Sequence, residues 1–136
     1  MGQSSQHQSG PCGINERFVR RAAPLEVAFG CATLVWVVQK SRAGPGGGIP
    51  ELLLIAPPVL GEVSGLMGLF FKGGEETSRG LARAYETVAD ACRCRFLDAS
   101  KHVRASQIDG VHLDLDGHRA LALAVKNVVA ASLIGV

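Results

Sequence analysis

The run Glu51–Ala56 (ELLLIA) constrains this chain more than any other stretch. Five consecutive apolar residues end at Pro57–Pro58, and so short a continuous run reads as a strand covered on both faces. Such strands belong to parallel sheets. Arg93–Ala99 (RCRFLDA) reads as a second strand, and helical patterns surround both. Pro24 opens a helix to about Lys40, at a first-turn position where its missing donor costs nothing. In Glu75–Cys92, Leu81, Ala84, Tyr85, Val88, Ala89 and Cys92 recur at spacings of three and four. A last helix runs over Leu115–Leu133, with Asp114 as its N-cap and Leu121, Ala124, Val125 and Val128 as its core face. The order helix, strand, helix, strand, helix predicts an α/β layered architecture with parallel strands.

Two strands are few, because a sheet usually holds about four to six and two leave both edges open. Either this chain is part of a larger domain, or partner chains cover those edges. Homo-oligomers joined through the sheet edges are therefore one expectation. The helix beginning at Pro24 is apolar on nearly every face, which predicts a helix pressed between layers. Ser41–Pro50 reads as a loop, and Val59–Gly74 as irregular with a short turn around Leu66–Phe71. Residues 1–17 read as a polar, disordered arm, and residues 18–136 as one domain segment.

Composition removes several classes of function. Apolar residues make up 47 % and charged residues 19 %, which excludes a disordered chain or a coiled coil. Fourteen Lys and Arg against twelve Asp and Glu give a net charge of +2, too balanced for a nucleic-acid partner. The longest apolar stretch, Val27–Val38, falls short of the roughly 18–20 residues that span a bilayer, so no membrane partner is expected. Arg17, Arg20 and Arg21 precede it as in a signal peptide, but Glu26 heads the apolar region and no small-residue cleavage site follows. Cys12, Cys31, Cys92 and Cys94 are too sparse for a disulfide scaffold and lack zinc-site spacing. They predict reduced thiols and a cytoplasmic setting, with no metal and no cofactor.

The loop Ser106–His118 (SQIDGVHLDLDGH) carries the densest chemistry. Asp109-Gly110-Val111-His112 sets a carboxylate and an imidazole three residues apart, with Gly110 allowing the bend. Such a carboxylate can accept the Nδ1–H of the ring, which leaves Nε2 free as a base. On spacing alone, the pair also fits a solvated loop with an incidental Asp and His. A calcium loop starting at His112 is rejected, since His112 and Leu123 occupy the positions of its anchoring carboxylates. Ser64 lacks the flanking glycines of a nucleophile elbow. Ser78 reads as capping or beginning a helix, His118 as a packing or surface residue, and Asp98 as ordering its loop.

FLDAS…DGVHLDLDGHRALALAV (Phe96–Val125) resembles the closing block of the SGNH, or GDSL-type, hydrolases, in their arylesterase and acyltransferase-like branch. LLLIAPP (Leu52–Pro58) resembles a late strand of that family, and FKGGEETSRGLARAYETVADAC (Phe71–Cys92) the helix after it. APLEVAFGCATLVWVVQ (Ala23–Gln39) is similar to the preceding segment, so the resemblance covers about Phe18–Leu133. It implies a flavodoxin-like three-layer α/β/α fold, here with a partial sheet, that hydrolyses small acyl or aryl esters through a serine. It implies His112 as general base and Asp109 as its orienting partner. The resemblance sets the family's Gly-x-Asn-Asp block against Gly13-Ile14-Asn15-Glu16 and implies Asn15 as a remnant oxyanion donor; by its residue type alone Asn15 equally reads as a turn residue or a helix cap. No Gly-Asp-Ser occurs in the sequence. The expectation is thus the C-terminal segment of an ester hydrolase, impaired for lack of its nucleophile. The alternative is a non-catalytic α/β module that self-associates through open sheet edges.

Overall fold

The structure, a computed structural model, describes residues 22–134. Helix α1 spans Pro24–Lys40, β1 Leu53–Ala56, α2 Gly65–Phe70, α3 Gly74–Cys92, β2 Arg95–Asp98 and α4 Leu115–Leu133. Single 3-10 turns lie at Pro45–Gly47 and Ala99–Lys101. The polar arm read over residues 1–17, Asn15 included, lies outside the described residues.

β1 and β2 form a two-stranded parallel sheet, with Leu53 opposite Arg95, Leu54 opposite Phe96, Ile55 opposite Leu97 and Ala56 opposite Asp98. The chain is therefore α/β with parallel strands, as its pattern requires. α3 makes the crossover between them and packs against both strands and against α1. Its buried stripe runs over Leu81, Ala84, Val88 and Ala89, and the last three join Ala28 and Leu54 in the core, flanked by Cys31, Tyr85 and Phe96. Close approach of the helices depends on a glycine, since a Cβ at Gly80 would stand 2.5 Å from Cγ of Pro24.

The strands are shorter than the apolar runs. Arg93 adopts a left-handed conformation (φ 56°) that ends α3 and turns the chain, so β2 begins only at Arg95. The segment read as irregular contains α2. A larger departure concerns α1, which is not pressed between layers among the described residues. Ala28 and Val35 are its only buried positions, while Phe29, Leu34, Trp36 and Val37 are all more than half exposed. The reason is geometric: α3 covers one side of α1, and no other described element packs extensively against it. On α4 the expected core face holds, with Ala124 buried and Leu121, Val125 and Val128 half-buried. Leu115, Leu123 and Leu133 are exposed.

Among the described residues no helix is long and apolar enough to cross a membrane. Cys31, Cys92 and Cys94 are free thiols. Burial raises the pKa of Cys31 and of Cys94.

Candidate active site

The connection from β2 to α4 holds the Asp-Gly-Val-His element, and backbone hydrogen bonds shape it first. Ser106 N–H donates to the His112 carbonyl (2.7 Å), and Gly110 N–H donates to the Ser106 carbonyl (2.8 Å). The loop is thereby closed on itself. A third bond, from Gly61 N–H to the Gly110 carbonyl (2.8 Å), ties it to the segment after β1. Gly110 has φ 72°, and a Cβ there would lie 2.5 Å from the Glu62 carbonyl oxygen. Conformation and space both demand glycine at this position.

Inside this frame the Asp109 carboxylate accepts three hydrogen bonds. Oδ1 takes the backbone N–H of Val111 (2.9 Å) and of His112 (3.0 Å), and Oδ2 lies 2.6 Å from Nδ1 of His112. Asp is suited to this because its short side chain reaches its own backbone two and three residues on. The Val111 N–H bond, followed by the His112 ring and the His112 N–H, holds the Asp109 pKa down to about 2. Ionised Asp109 can only accept, so the proton between the two sits on Nδ1, and in the neutral ring Nε2 then carries the free lone pair. The His112 side chain is 67 % exposed, which leaves Nε2 open to a reactant. The electrostatics and geometry suit proton abstraction.

Other residues singled out in the sequence divide plainly. Asp98 orders its loop, with Oδ1 accepting from Ser100 N–H (2.9 Å) and Ser100 Oγ–H (2.6 Å). Asp114 caps α4 by accepting from Gly117 N–H (2.7 Å). His118 is exposed on the first turn of α4, and Ser64 is exposed before α2 with no side-chain cap bond. Ser78 neither caps nor begins a helix. It lies buried within α3, where Oγ–H donates to the Glu75 carbonyl (2.7 Å) and Oγ accepts from Leu60 N–H (3.0 Å). Its hydroxyl faces the loop after β1 because α3 crosses beneath that loop, which periodicity cannot reveal. The Gly61–Gly110 bond was equally invisible; the only sequence signal was a lone Gly beyond Pro57–Pro58. Among the described residues no three His, Cys, Asp or Glu side chains group closely enough to hold a metal ion.

No protein-family model matches the chain, and no curated protein matches its sequence. Solved structures do match. The native aryl esterase of M. smegmatis shares 29 % identity at a TM-score of 0.76, over 87 % of this chain and 58 % of its own. Its inhibitor-bound form gives 30 % and 0.77, over 85 % and 57 %. A carbohydrate acetylesterase from Sinorhizobium meliloti gives 32 % and 0.76, over 82 % and 53 %. This chain thus spans a little over half the length of each enzyme. Over most of its own length it resembles the SGNH-type aryl esterases and carbohydrate acetylesterases, and the two parallel strands and four helices among its described residues match part of their fold.

Proposed function

We propose that this chain supplies the acid–base pair of a serine-type ester hydrolysis acting on small esters. The observation that supports it most is the 2.6 Å contact between Asp109 Oδ2 and His112 Nδ1, in a loop that leaves Nε2 exposed. In this reading Nε2 takes the proton of an attacking hydroxyl as its oxygen bonds to the ester carbonyl. Asp109 stabilises the imidazolium that forms, and Nε2 then returns the proton to the departing alkoxide. Small esters are the substrate class because the structural neighbours are an aryl esterase and a carbohydrate acetylesterase. The four cysteines, too sparse for a disulfide scaffold, are read as reduced thiols in a cytoplasmic setting. The esterase neighbours do not favour the alternative of a non-catalytic self-associating module.

Catalysis by these 136 residues alone is impaired in this reading, because no Gly-Asp-Ser is present. Asn15, as an oxyanion donor, belongs to the same proposal on the strength of the family resemblance alone. His112 can activate water, but without a positioned nucleophile most of the advantage of the pair is lost. The test combines p-nitrophenyl acetate hydrolysis with intact mass after fluorophosphonate treatment. Weak hydrolysis that disappears in His112→Ala, with no fold-dependent adduct, is the expected result. Hydrolysis unchanged in His112→Ala removes His112 from the mechanism, and a fold-dependent adduct on a serine overturns the impairment.

A further inference from the structure

Resting on the acid–base reading of Asp109 and His112, we propose that Ser78, on α3, is a positioning residue for that pair, acting through the loop after β1. Among the described residues Ser78 is the one buried polar side chain, 5 % exposed. Its Oγ–H donates to the Glu75 carbonyl one turn back (2.7 Å), which turns an oxygen lone pair towards the loop. That lone pair accepts the Leu60 N–H (3.0 Å). One turn earlier on the same face of α3, Gly74 makes room for the Leu60 side chain. A Cβ there would stand 3.1 Å from Leu60 Cδ1. α3 thus holds both the backbone and the side chain of Leu60.

The next amide carries that hold to the site. Gly61 N–H donates to the Gly110 carbonyl (2.8 Å). The two backbones also touch: a Cβ on Gly61 would lie 3.3 Å from Gly110 Cα, and one on Gly110 would lie 2.5 Å from the Glu62 carbonyl oxygen. Close-packed backbone passes a displacement on instead of absorbing it. Gly110 stands between Asp109 and Val111, and the Val111 N–H helps aim the Asp109 carboxylate at Nδ1 of His112. Without the Ser78 hydroxyl, the Leu60 N–H loses its acceptor, residues 60–62 gain freedom, and Gly110 follows. The pair then keeps its residues but loses the fixed geometry that proton transfer needs.

Ser78→Thr and Ser78→Val test this on the full chain, because they share a shape and differ in the hydroxyl. Ser78 borders an apolar cavity of about 430 Å³ that reaches Val111, so the added methyl groups have room. At about pH 9, above the ordinary imidazole range, 15N spectra should show the His112 ring protonated on Nδ1 in the parent and in Ser78→Thr. In Ser78→Val the Nε2-protonated ring should appear, a signature that lower stability alone does not produce. The Gly61 amide should also exchange at least about tenfold faster in Ser78→Val than in Ser78→Thr, beyond any change at Ala84 and Val88 in the core. A measurement on the unmodified chain needs no variant: the Leu60, Gly61 and Val111 amides should open together as one unit. The same tautomer and the same Gly61 exchange in both variants, or Leu60 and Val111 amides that open independently, overturns the proposal. Ester hydrolysis indifferent to His112→Ala sinks the acid–base reading instead and leaves these signals in place, so the two failures appear in different measurements.

Discussion

Helices α1 and α3 lie against one another and have nearly the same length, yet their sequences serve opposite ends. In α3 the apolar residues form one stripe, and that stripe is buried: Leu81, Ala84, Val88 and Ala89 face α1 and the strands. Its other faces carry Glu75, Arg79, Arg83, Glu86 and Asp90, all exposed. In α1 the apolar residues surround the helix, but α3 covers only the side holding Ala28 and Val35. α3 is thus matched to its neighbours, whereas α1 is written for more contact than the described residues provide. An exposed run of Phe29, Leu34, Trp36 and Val37 is the kind of surface that invites burial by something else.

The sharpest way to test this contrast is to delete side chains on each side of it. Leu54→Ala removes a residue from the core under α3 and should cost about 2–5 kcal/mol in urea unfolding. Phe29→Ala, at a position 64 % exposed, should fall within about 0.5 kcal/mol of the parent. A cost for Phe29→Ala approaching that of Leu54→Ala would show that α1 is covered after all.

Gly110→Ala comes next in size. The left-handed backbone and the nearby Glu62 carbonyl predict a loss of about 1–3 kcal/mol and detachment of the site loop from Gly61. A smaller effect concerns pH. Asp109 has a folded pKa of about 2, below its usual 3.8, so its bonds contribute fully above about pH 4. That contribution is lost as pH falls through about 2. A carboxylate titration should place the midpoint near 2 in the parent and nearer 3.8 in a folded Gly110→Ala variant. An identical midpoint in both would separate the loop geometry from the ionisation of Asp109.

The gentlest probe uses Trp36, the only tryptophan in the chain, which lies more than half exposed under the Lys40 ammonium (3.7 Å to the ring centroid). Its fluorescence should report a water-exposed indole in dilute solution. We further propose that the chain self-associates as concentration rises, through the open sheet edges together with the bare face of α1. A blue shift of that emission in step with sedimentation would support this. A monomer with unchanged emission at high concentration would count against it.

Much of the architecture was legible because it rests on local patterns. Pro24 at the helix start, the spacing of Leu81, Ala84, Val88 and Ala89, and the Asp114 cap each act within a turn or two of chain. The apolar run before Pro57–Pro58 needed only its own six residues to read as a strand. Within the site, Asp109, Gly110 and His112 were legible for the same reason, since an aspartate reaching three residues forward is a local hydrogen-bond problem. The sequence by itself thus determined the three long helices, the two parallel strands and the proximity of carboxylate and imidazole. Only the tertiary structure decided which faces are covered, that Ser78 holds the loop after β1, and that Gly61 anchors the site. It alone also placed an apolar cavity against Val111. Those features join residues far apart in the chain, and contacts of that kind depend on how helices and strands pack, which no local periodicity encodes.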